Sequence, residues 1–149
     1  MRPKKVLYVL TAVLAVGVFS SCEDEDCIND LGPVVTEERE LDEFKSIDFA
    51  GVGNIYLSQG EEQSVLIETN EFLLPHLDTD VSGDELKVDI DKCTGANFVL
   101  NLFITIPDIE DLTLSGVGNI YSENAWDLDD LSLTLQGCLL YTSPSPRDA

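Results

Sequence analysis

The sequence predicts an all-β domain of the β-helix or solenoid kind, a stack of short strands with glycine–asparagine corners. Apolar and polar residues alternate with a period of two through much of the 149-residue chain, which is typical of strands. The hexapeptide Gly-Val-Gly-Asn-Ile-Tyr occurs twice, starting at Gly51 and at Gly116, an offset of 65. Residues 112–116 also resemble residues 133–137 at an offset of 21, and three such units come close to 65. These offsets favour a repeating unit of roughly 20 residues.

The predicted strands are short and are separated by Gly, Asn and Asp clusters. Their apolar or inward positions are Phe44, Ile47 and Phe49; Ile55 and Leu57; Val65 and Ile67; Leu77, Thr79 and Val81; Leu86, Val88 and Ile90; the run 99–106; Leu112 and Leu114; and Leu131, Leu133 and Leu135. Only residues 70–74, just before Pro75, have a pattern that fits a helical turn.

The repeated glycines and asparagines are the predicted structural corners: Gly51, Gly53, Asn54, Gly116, Gly118 and Asn119. Glycine and asparagine tolerate positive φ, so the chain can turn between strands there without a long loop. A recurring asparagine can also form a ladder that satisfies backbone groups at a bend. The functional alternative is a phosphate cradle, but the motif leads into a strand and has no Lys or Arg beside it. The corner interpretation is therefore favoured.

Residues 1–21 are predicted to be a lipoprotein signal peptide. Three basic residues precede an uncharged, mostly apolar stretch of about 14 residues, which is shorter than the roughly 20 that span a bilayer. Ser20 and Ser21 then precede Cys22, an arrangement that resembles a bacterial lipobox. Cys22 is thus the predicted lipid attachment site and the contact with the membrane. The plainer alternative is an ordinary cleaved signal with Cys22 as an incidental thiol.

Residues 22–40 are predicted to be an acidic tether between the membrane and the domain. The run Glu-Asp-Glu-Asp at 23–26 resembles the surface-export signal of Bacteroidetes lipoproteins, and any such run is also a solvated, self-repelling linker. Together with Cys22, this run predicts a lipid-anchored protein of the outer membrane or the cell surface.

Residues 138–149 are predicted to be an adapter-derived artefact rather than part of the fold. The sequence Cys-Leu-Leu-Tyr-Thr-Ser-Pro-Ser-Pro-Arg-Asp at 138–148 resembles the translation of a sequencing-library transposon adapter in one frame. A Pro-Ser-Pro tail also replaces the alternating pattern abruptly. We therefore expect an incomplete domain over residues 41–137, with the natural sequence continuing past Gly137.

The charge of the chain excludes one class of partner. The 29 Asp and Glu against 8 Lys and Arg give a formal net charge of −21, which repels phosphate backbones and argues against nucleic-acid binding. Residues 22–137 alone hold 28 acidic residues and 4 basic ones, so their net charge is 4 − 28 = −24. A single histidine and few cysteines leave little material for catalysis or a metal cluster, so we predict no cofactor, no metal and no enzymatic activity.

Three local patterns resemble chemical sites. Residues 78–89 nearly match a calcium-binding EF-hand loop, but strand patterns flank them on both sides, which favours a hairpin turn at 82–85. His76 is interpreted as a surface or loop residue. Acid pairs such as Glu61–Glu62 or Asp129–Asp130 could act in glycoside hydrolysis, yet so acidic a chain contains close pairs in any case.

Two pairings remain open at the level of the sequence. Cys27 and Cys93 either form a disulfide in an oxidising exterior or remain unpaired small apolar residues. Tyr56 and Tyr121, at equivalent repeat positions, either stack on each other between rungs or join Trp126 in a platform for glycans. Stacking between rungs is the favoured interpretation of the tyrosines.

Several of these segments together resemble one protein family. The segments are the lipobox, Phe-Lys-Ser-Ile at 44–47, the repeated Gly-x-Gly-Asn-Ile, and Ile-Thr-Ile-Pro at 104–107 before residues 112–116. They resemble the putative auto-transporter adhesin head GIN domain family over about residues 41–137. The resemblance implies a β-helix-like stack of short strands. It implies no activity and carries no catalytic or ligand residues.

The sequence thus favours a non-catalytic binding or adhesion function on a lipid-anchored envelope protein, with a glycan or a protein surface as the ligand. Extended faces of repeat proteins suit weak, repeated contacts with polymers or partners. The alternatives are a polysaccharide-active enzyme that uses paired carboxylates, and a purely structural envelope module.

Overall fold

The computed structural model describes residues 27–95 and 97–142, with the backbone alone described for 138–142. The predicted signal peptide, Cys22 and the acidic run at 23–26 lie outside the described residues, as does the part of the predicted adapter tail from residue 143 onward. Within the described ranges, no helix has the length and apolar character needed to cross a bilayer.

The described chain forms one eight-stranded sheet and a single 3₁₀ turn, which confirms the all-β prediction. The strands are β1 (Val34–Arg39), β2 (Ser46–Gln59), β3 (Ser64–Asn70), β4 (Leu77–Ser82), β5 (Glu85–Ile90), β6 (Leu100–Ile106), β7 (Asp111–Ser122) and β8 (Ser132–Thr142), and the 3₁₀ turn is Leu74–His76.

The sheet divides into two branches at β2. On one edge, β2 pairs in parallel with β7, and β7 pairs in parallel with β8, so that equivalent repeat residues lie side by side. On the other edge, β2 pairs with two strands, with β5 over residues 46–49 and with β6 over residues 54–59. The first branch consists of β5 and its antiparallel neighbour β4. The second branch consists of β6, its antiparallel neighbour β3, and β1, which pairs antiparallel with β3. The sheet curls into half of a barrel around the core.

Parallel repeat strands make up only part of this sheet. The architecture therefore differs from the uniform β-helix stack that the sequence predicts. Strands β2, β7 and β8 are in register, with Gly51 beside Gly116 and Gly116 beside Gly137. The four strands β3–β6 lie between β2 and β7 in the sequence, and they form two antiparallel pairs, β3 with β6 and β4 with β5. The offset of 65 therefore reflects an insertion between two repeats rather than three consecutive rungs.

The glycine segment lies inside a strand rather than between two strands. The predicted strands around Phe49 and Ile55 are one continuous strand, because β7 pairs with β2 from Ser46 through Leu57. The backbone there is still unusual, with φ of 153° at Gly51 and 136° at Gly116. At this point the strand that pairs with β2 on the edge opposite β7 changes from β5 to β6. The glycines thus mark the place where the two branches diverge.

The core lies inside the curl and follows the period-two pattern. Ile47, Phe49, Ile55 and Leu57 point inward from β2, and each is at most 5% exposed. The equivalent residues of β7 are also buried, namely Leu112, Leu114 and Ile120. Burying such a side chain contributes about 1.5–3 kcal/mol, so this shared inner face is a major source of stability.

The ordered chain includes part of the segment that we expected to be a tether. β1 pairs antiparallel with β3 over its whole length, within residues 22–40. An edge position suits its acidic composition, since its outward residues Thr36 and Glu38 remain exposed. Cys27 and Cys93 form a disulfide with an S–S distance of 2.08 Å, which resolves the open question of their pairing.

Two local predictions have different outcomes. The hairpin at residues 82–85 is present, since β4 and β5 pair from Ser82 and Glu85 onward, and Gly83 adopts a φ of 68°. The helical turn is displaced from 70–74 to Leu74–His76 and includes Pro75. Proline fits the first turn of a helix because the amide hydrogen that it lacks has no partner there.

Candidate functional site

A row of amide side chains crosses the outer face of β6, β2 and β7. Asn119 Nδ2 donates to Asn54 Oδ1 at 3.0 Å, and Asn54 Nδ2 donates to Asn101 Oδ1 at 3.0 Å. Asn101 Nδ2 then donates to Glu68 Oε1 at 2.7 Å. The row follows the strand register, since Asn54 pairs with both Asn101 and Asn119. The asparagines therefore bond to one another, not to the backbone at a bend, and the chain of bonds ends on a carboxylate.

A row of aromatic rings lies two residues further along the same strands. The ring centroids of Tyr56 and Phe103 are 4.7 Å apart, and those of Tyr56 and Tyr121 are 4.9 Å apart, with interplanar angles of 13° and 17°. The tyrosines thus stack between strands, as the favoured interpretation held. Trp126 packs against the hydrophobic core instead of joining them, so the three residues do not form a common platform.

The aromatic row changes the chemistry of its central residue. Burial raises the pKa of Tyr56, and Tyr121, Glu68 and Glu123 raise it further because they disfavour a negative charge beside them. Tyr56 is therefore a protonated phenol across the physiological pH range. Its hydroxyl can donate a hydrogen bond as well as accept one.

A shallow groove of about 420 Å³ runs beside the amide row. Val52 and Val117 line it and are 47% and 51% exposed, an unusual position for large apolar side chains. Asn54 and Asn119 form its polar side. The groove therefore combines apolar contact with amide donors and acceptors.

The glycines of the repeat allow this close spacing of strands. A Cβ on Gly53 would lie 2.8 Å from the carbonyl oxygen of Leu100, and a Cβ on Gly118 would collide with the carbonyl oxygen of Gly53. Residues 51–54 are also paired with β7 throughout, so their backbone is engaged in the sheet. The motif thus serves close strand packing, and the phosphate-cradle alternative has no support in this geometry.

Sequence reasoning missed one residue of each row. Asn101 and Phe103 belong to β6, whose place beside β2 cannot be read from the repeat. Their period-two pattern does indicate that they face away from Leu102 and Ile104, which are buried. No local signal identifies the strand that becomes their neighbour.

A second groove, of about 390 Å³, is acidic. Its lysine, Lys45, lies 3.0 Å from Glu110 Oε1 and 3.7 Å from Asp108 Oδ2. The hydrogen bond to Glu110 raises the pKa of Lys45, so its ammonium group remains charged and neutralises part of the groove. Among the described residues, no group of three or more His, Cys, Asp or Glu is placed to hold a metal ion.

The predicted alternatives for catalysis lie on the surface. Glu61 and Glu62 are exposed, as are Asp129 and Asp130. His76 Nδ1 is 2.9 Å from Asp91 Oδ1, in a pair that is partly open to solvent. This agrees with the interpretation of His76 as a surface residue.

The fold and its outer rows define a class of protein, an all-β repeat domain that presents a regular, ordered surface. Within that class, residues 43–138 match the family described as putative auto-transporter adhesin, head GIN domain. The chain belongs to this family.

Solved structures share the fold. A putative adhesin from Bacteroides fragilis has a TM-score of 0.69 at 24% identity, over 78% of this chain and 55% of that one. A putative adhesin from Parabacteroides merdae has a TM-score of 0.65 at 21% identity, over 72% and 46%. A putative lipid binding protein from Parabacteroides distasonis has a TM-score of 0.54 at 17% identity, over 78% and 70%.

The similarity extends over about half the length of the two adhesin structures, 55% and 46%. No curated protein matches the chain.

Proposed function

We propose that the chain is a lipid-anchored protein of the outer membrane or cell surface, whose β domain binds a glycan or a protein without catalysis. The observation that carries this proposal is the ordered outer surface of β6, β2 and β7. Its two rows contain no ionised side chain from Asn101 to Asn119 or from Phe103 to Tyr121, in a chain with a net charge of −21. The family and the adhesin structures support a surface role of this kind.

The disulfide supports an extracytoplasmic location. Disulfides persist in oxidising compartments and are rare in the cytosol. Cys27 is bonded to Cys93 and lies five residues after Cys22. An anchor at Cys22 would therefore hold the ordered domain within a few residues of the membrane surface.

We further propose that β2, β7 and β8 are the solenoid-type part of the domain. Their parallel, in-register pairing places Leu112 beside Leu133 and Gly116 beside Gly137. A further repeat of this kind would continue the same inner and outer rows. Strands β3–β6 would then be an insertion between its first two repeats in the chain.

The anchor is tested by expressing the full chain and a Cys22→Ala variant with a metabolic label for lipid acyl chains. We expect the label and the membrane association only in the unchanged chain, and protease treatment of intact cells should remove a surface-exposed domain. Equal membrane association of both chains, without label, would contradict the anchor. Digestion only after the envelope is opened would place the domain in the periplasm.

The function is tested on arrays of glycans and envelope proteins, with turnover measured in parallel. Binding without turnover is the expected result. Turnover that is lost on a single Asp→Asn change would establish the paired-carboxylate enzyme instead. Neither binding nor turnover would favour the purely structural envelope module.

A further inference from the structure

We propose that the outer face of β6, β2 and β7 is a binding site for a neutral polysaccharide. This inference rests on the proposed binding function and assigns its site and ligand class. The site, here called the neutral face, consists of the two rows Asn101, Asn54 and Asn119, and Phe103, Tyr56 and Tyr121.

These six side chains point to the same side of the sheet. In β2, Ile55 and Leu57 are buried, so Asn54 and Tyr56, which alternate with them along the strand, face outward. Strand register carries the same alternation to β6 and β7. Neighbouring strands are about 4.8 Å apart, and two residues along a strand span about 6.6 Å. The neutral face is therefore a regular grid of polar and aromatic groups.

The charge of the face selects the ligand class. None of its six residues is Asp, Glu, Lys, Arg or His, although the chain holds 29 Asp and Glu against 8 Lys and Arg. Glu68 lies at one end of the amide row, and Glu123 hydrogen-bonds to Ser58 beyond the aromatic row. These flanking carboxylates attract basic groups to the edges of the face, where they lie, and not onto its six uncharged residues. They repel an acidic polymer that crosses the face, which is a penalty to binding. A neutral ligand has no such penalty.

The amide row retains hydrogen-bonding capacity for such a ligand. Each asparagine amide has two N–H donors and a carbonyl oxygen with two lone pairs. The contacts along the row use one donor of each asparagine and one lone pair each of Asn54 and Asn101. The remaining donors and acceptors recur at the strand spacing. Sugar hydroxyl groups both donate and accept, so a polysaccharide can satisfy a repeated row of this kind.

The aromatic row and the groove distinguish this ligand from an apolar protein segment. The rings of Phe103, Tyr56 and Tyr121 cover one another's faces, so Tyr56 offers an edge and a hydroxyl group. The cores of protein interfaces instead bury large aromatic and apolar surfaces. Val52 and Val117 add a modest apolar strip beside the amides, which suits the C–H groups of a sugar ring.

Affinity electrophoresis tests the proposal with the full chain in mild detergent. The gels contain either a neutral polysaccharide (dextran, mannan, xylan or a β-glucan) or the acidic polysaccharide polygalacturonate. We expect retardation by at least one neutral polymer and none by the acidic one. Asn119→Ala and Tyr121→Ala should each weaken the neutral interaction by about tenfold or more, the loss expected from removing hydrogen bonds worth about 1.4 kcal/mol.

Two further variants control for folding and chemistry. Thr113 also lies on β7, but away from the neutral face, beside the part of β2 that pairs with β5. The Thr113→Ala variant should therefore bind normally. Tyr121→Phe keeps the ring stack and removes only the hydroxyl. We therefore expect its affinity for the polysaccharide to lie between that of the unchanged chain and that of Tyr121→Ala. Thermal unfolding of every variant identifies any loss of binding that is due to instability. A variant that is unstable is replaced by Asn54→Asp, which adds a charge to the face.

The outcomes separate this inference from the function on which it rests. Retention of polysaccharide binding by folded Asn119→Ala and Tyr121→Ala variants would overturn the site while leaving the binding function intact. Binding only to a protein, to a second copy of the chain or to the acidic polymer would overturn the ligand class alone. Absence of every interaction, on these gels and on the arrays, would overturn both.

Discussion

At the scale of single residues, the repeat is defined by where side chains are missing. Gly53 and Gly118 lie at paired positions in β2 and β7, where neighbouring strands leave no room for a Cβ. Gly116 adds a positive φ of 136°, which L residues rarely adopt. The motif that was predicted to form corners between strands is therefore required by backbone packing within the sheet.

Gly118→Ala should destabilise the domain by about 3 kcal/mol, because the new methyl group meets the carbonyl oxygen of Gly53 and the strands must separate. Gly95→Ala is the matched control, since its Cβ would meet only ordinary contacts at 3.5 Å or more. Urea unfolding followed by circular dichroism measures both. Equal midpoints for the two variants would contradict the steric argument.

Tyr56 should make the stability of the domain depend on alkaline pH. Its pKa is raised in the folded state by burial and by Tyr121, Glu68 and Glu123, so the folded chain holds the phenol proton more tightly than the unfolded chain. The resulting contribution is complete below the ordinary tyrosine pKa of about 10 and is lost as the pH rises through the folded-state pKa of Tyr56.

The measurement is urea unfolding between about pH 8 and 11, around the ordinary tyrosine pKa of about 10. The free energy of unfolding of the unchanged chain should fall more steeply above pH 10 than that of Tyr56→Phe, and the two slopes should agree at lower pH. Other titrating groups are common to both chains and cancel. Parallel curves over the whole range would show that Tyr56 is not linked to folding.

At the scale of elements, β7 and β8 have matching residues but different surroundings. Leu112 is 2% exposed, whereas its neighbour in register, Leu133, is 38% exposed. Residues 132–137 of β8 are uncharged, while the other edge strands β1 and β4 carry acidic residues. Within the described residues, β8 pairs only with β7, so one inward side of the repeat is open to water.

The pair Leu112 and Leu133 tests this difference with the same substitution. Leu112→Ala should cost about 2–5 kcal/mol, since it leaves a cavity in the core. Leu133→Ala should cost less than about 1 kcal/mol, because its side chain already contacts water, and it should improve solubility by reducing an exposed apolar edge. Chemical unfolding and the saturation concentration are the readouts. Similar losses of stability in both variants would mean that β8 is covered in solution.

At the scale of the whole molecule, the disulfide connects the segment before β1 to the segment between β5 and β6. Cys27 precedes β1, and Cys93 lies between β5 and β6, with a sequence separation of 66. Ile28 also forms an isolated bridge with Thr94. Together with the pairing of β1 and β3, these contacts hold residues 27–39 on the domain as part of the fold.

Removing the disulfide with Cys27→Ser and Cys93→Ser together should lower the free energy of unfolding by about 2–4 kcal/mol, because the crosslink closes a long loop in the unfolded chain. Hydrogen exchange should increase first in β1, which has β3 as its only partner strand among the described elements. A reducing agent should reproduce both effects in the unchanged chain and have none in the double variant. Unchanged stability after reduction would contradict this role.

The sequence by itself determined the all-β class, most strand positions, the hairpin at 82–85 and the equivalence of the two hexapeptides. These features depend on neighbours in the chain, since a period-two pattern reports which side chains are buried, and identical residues align when strands pair in parallel. The stacking of Tyr56 on Tyr121 follows from that equivalence.

Only the tertiary structure decided which strands become neighbours. It placed β7 directly beside β2 although β3–β6 separate them in the sequence, set Asn101 and Phe103 beside Asn54 and Tyr56, and added β1 to the sheet. It also selected the disulfide between Cys27 and Cys93 from two open alternatives. Pairing between strands distant in the chain depends on how the whole inner face packs, and no local pattern encodes that choice. The neutral face is a product of this packing as much as of the repeat.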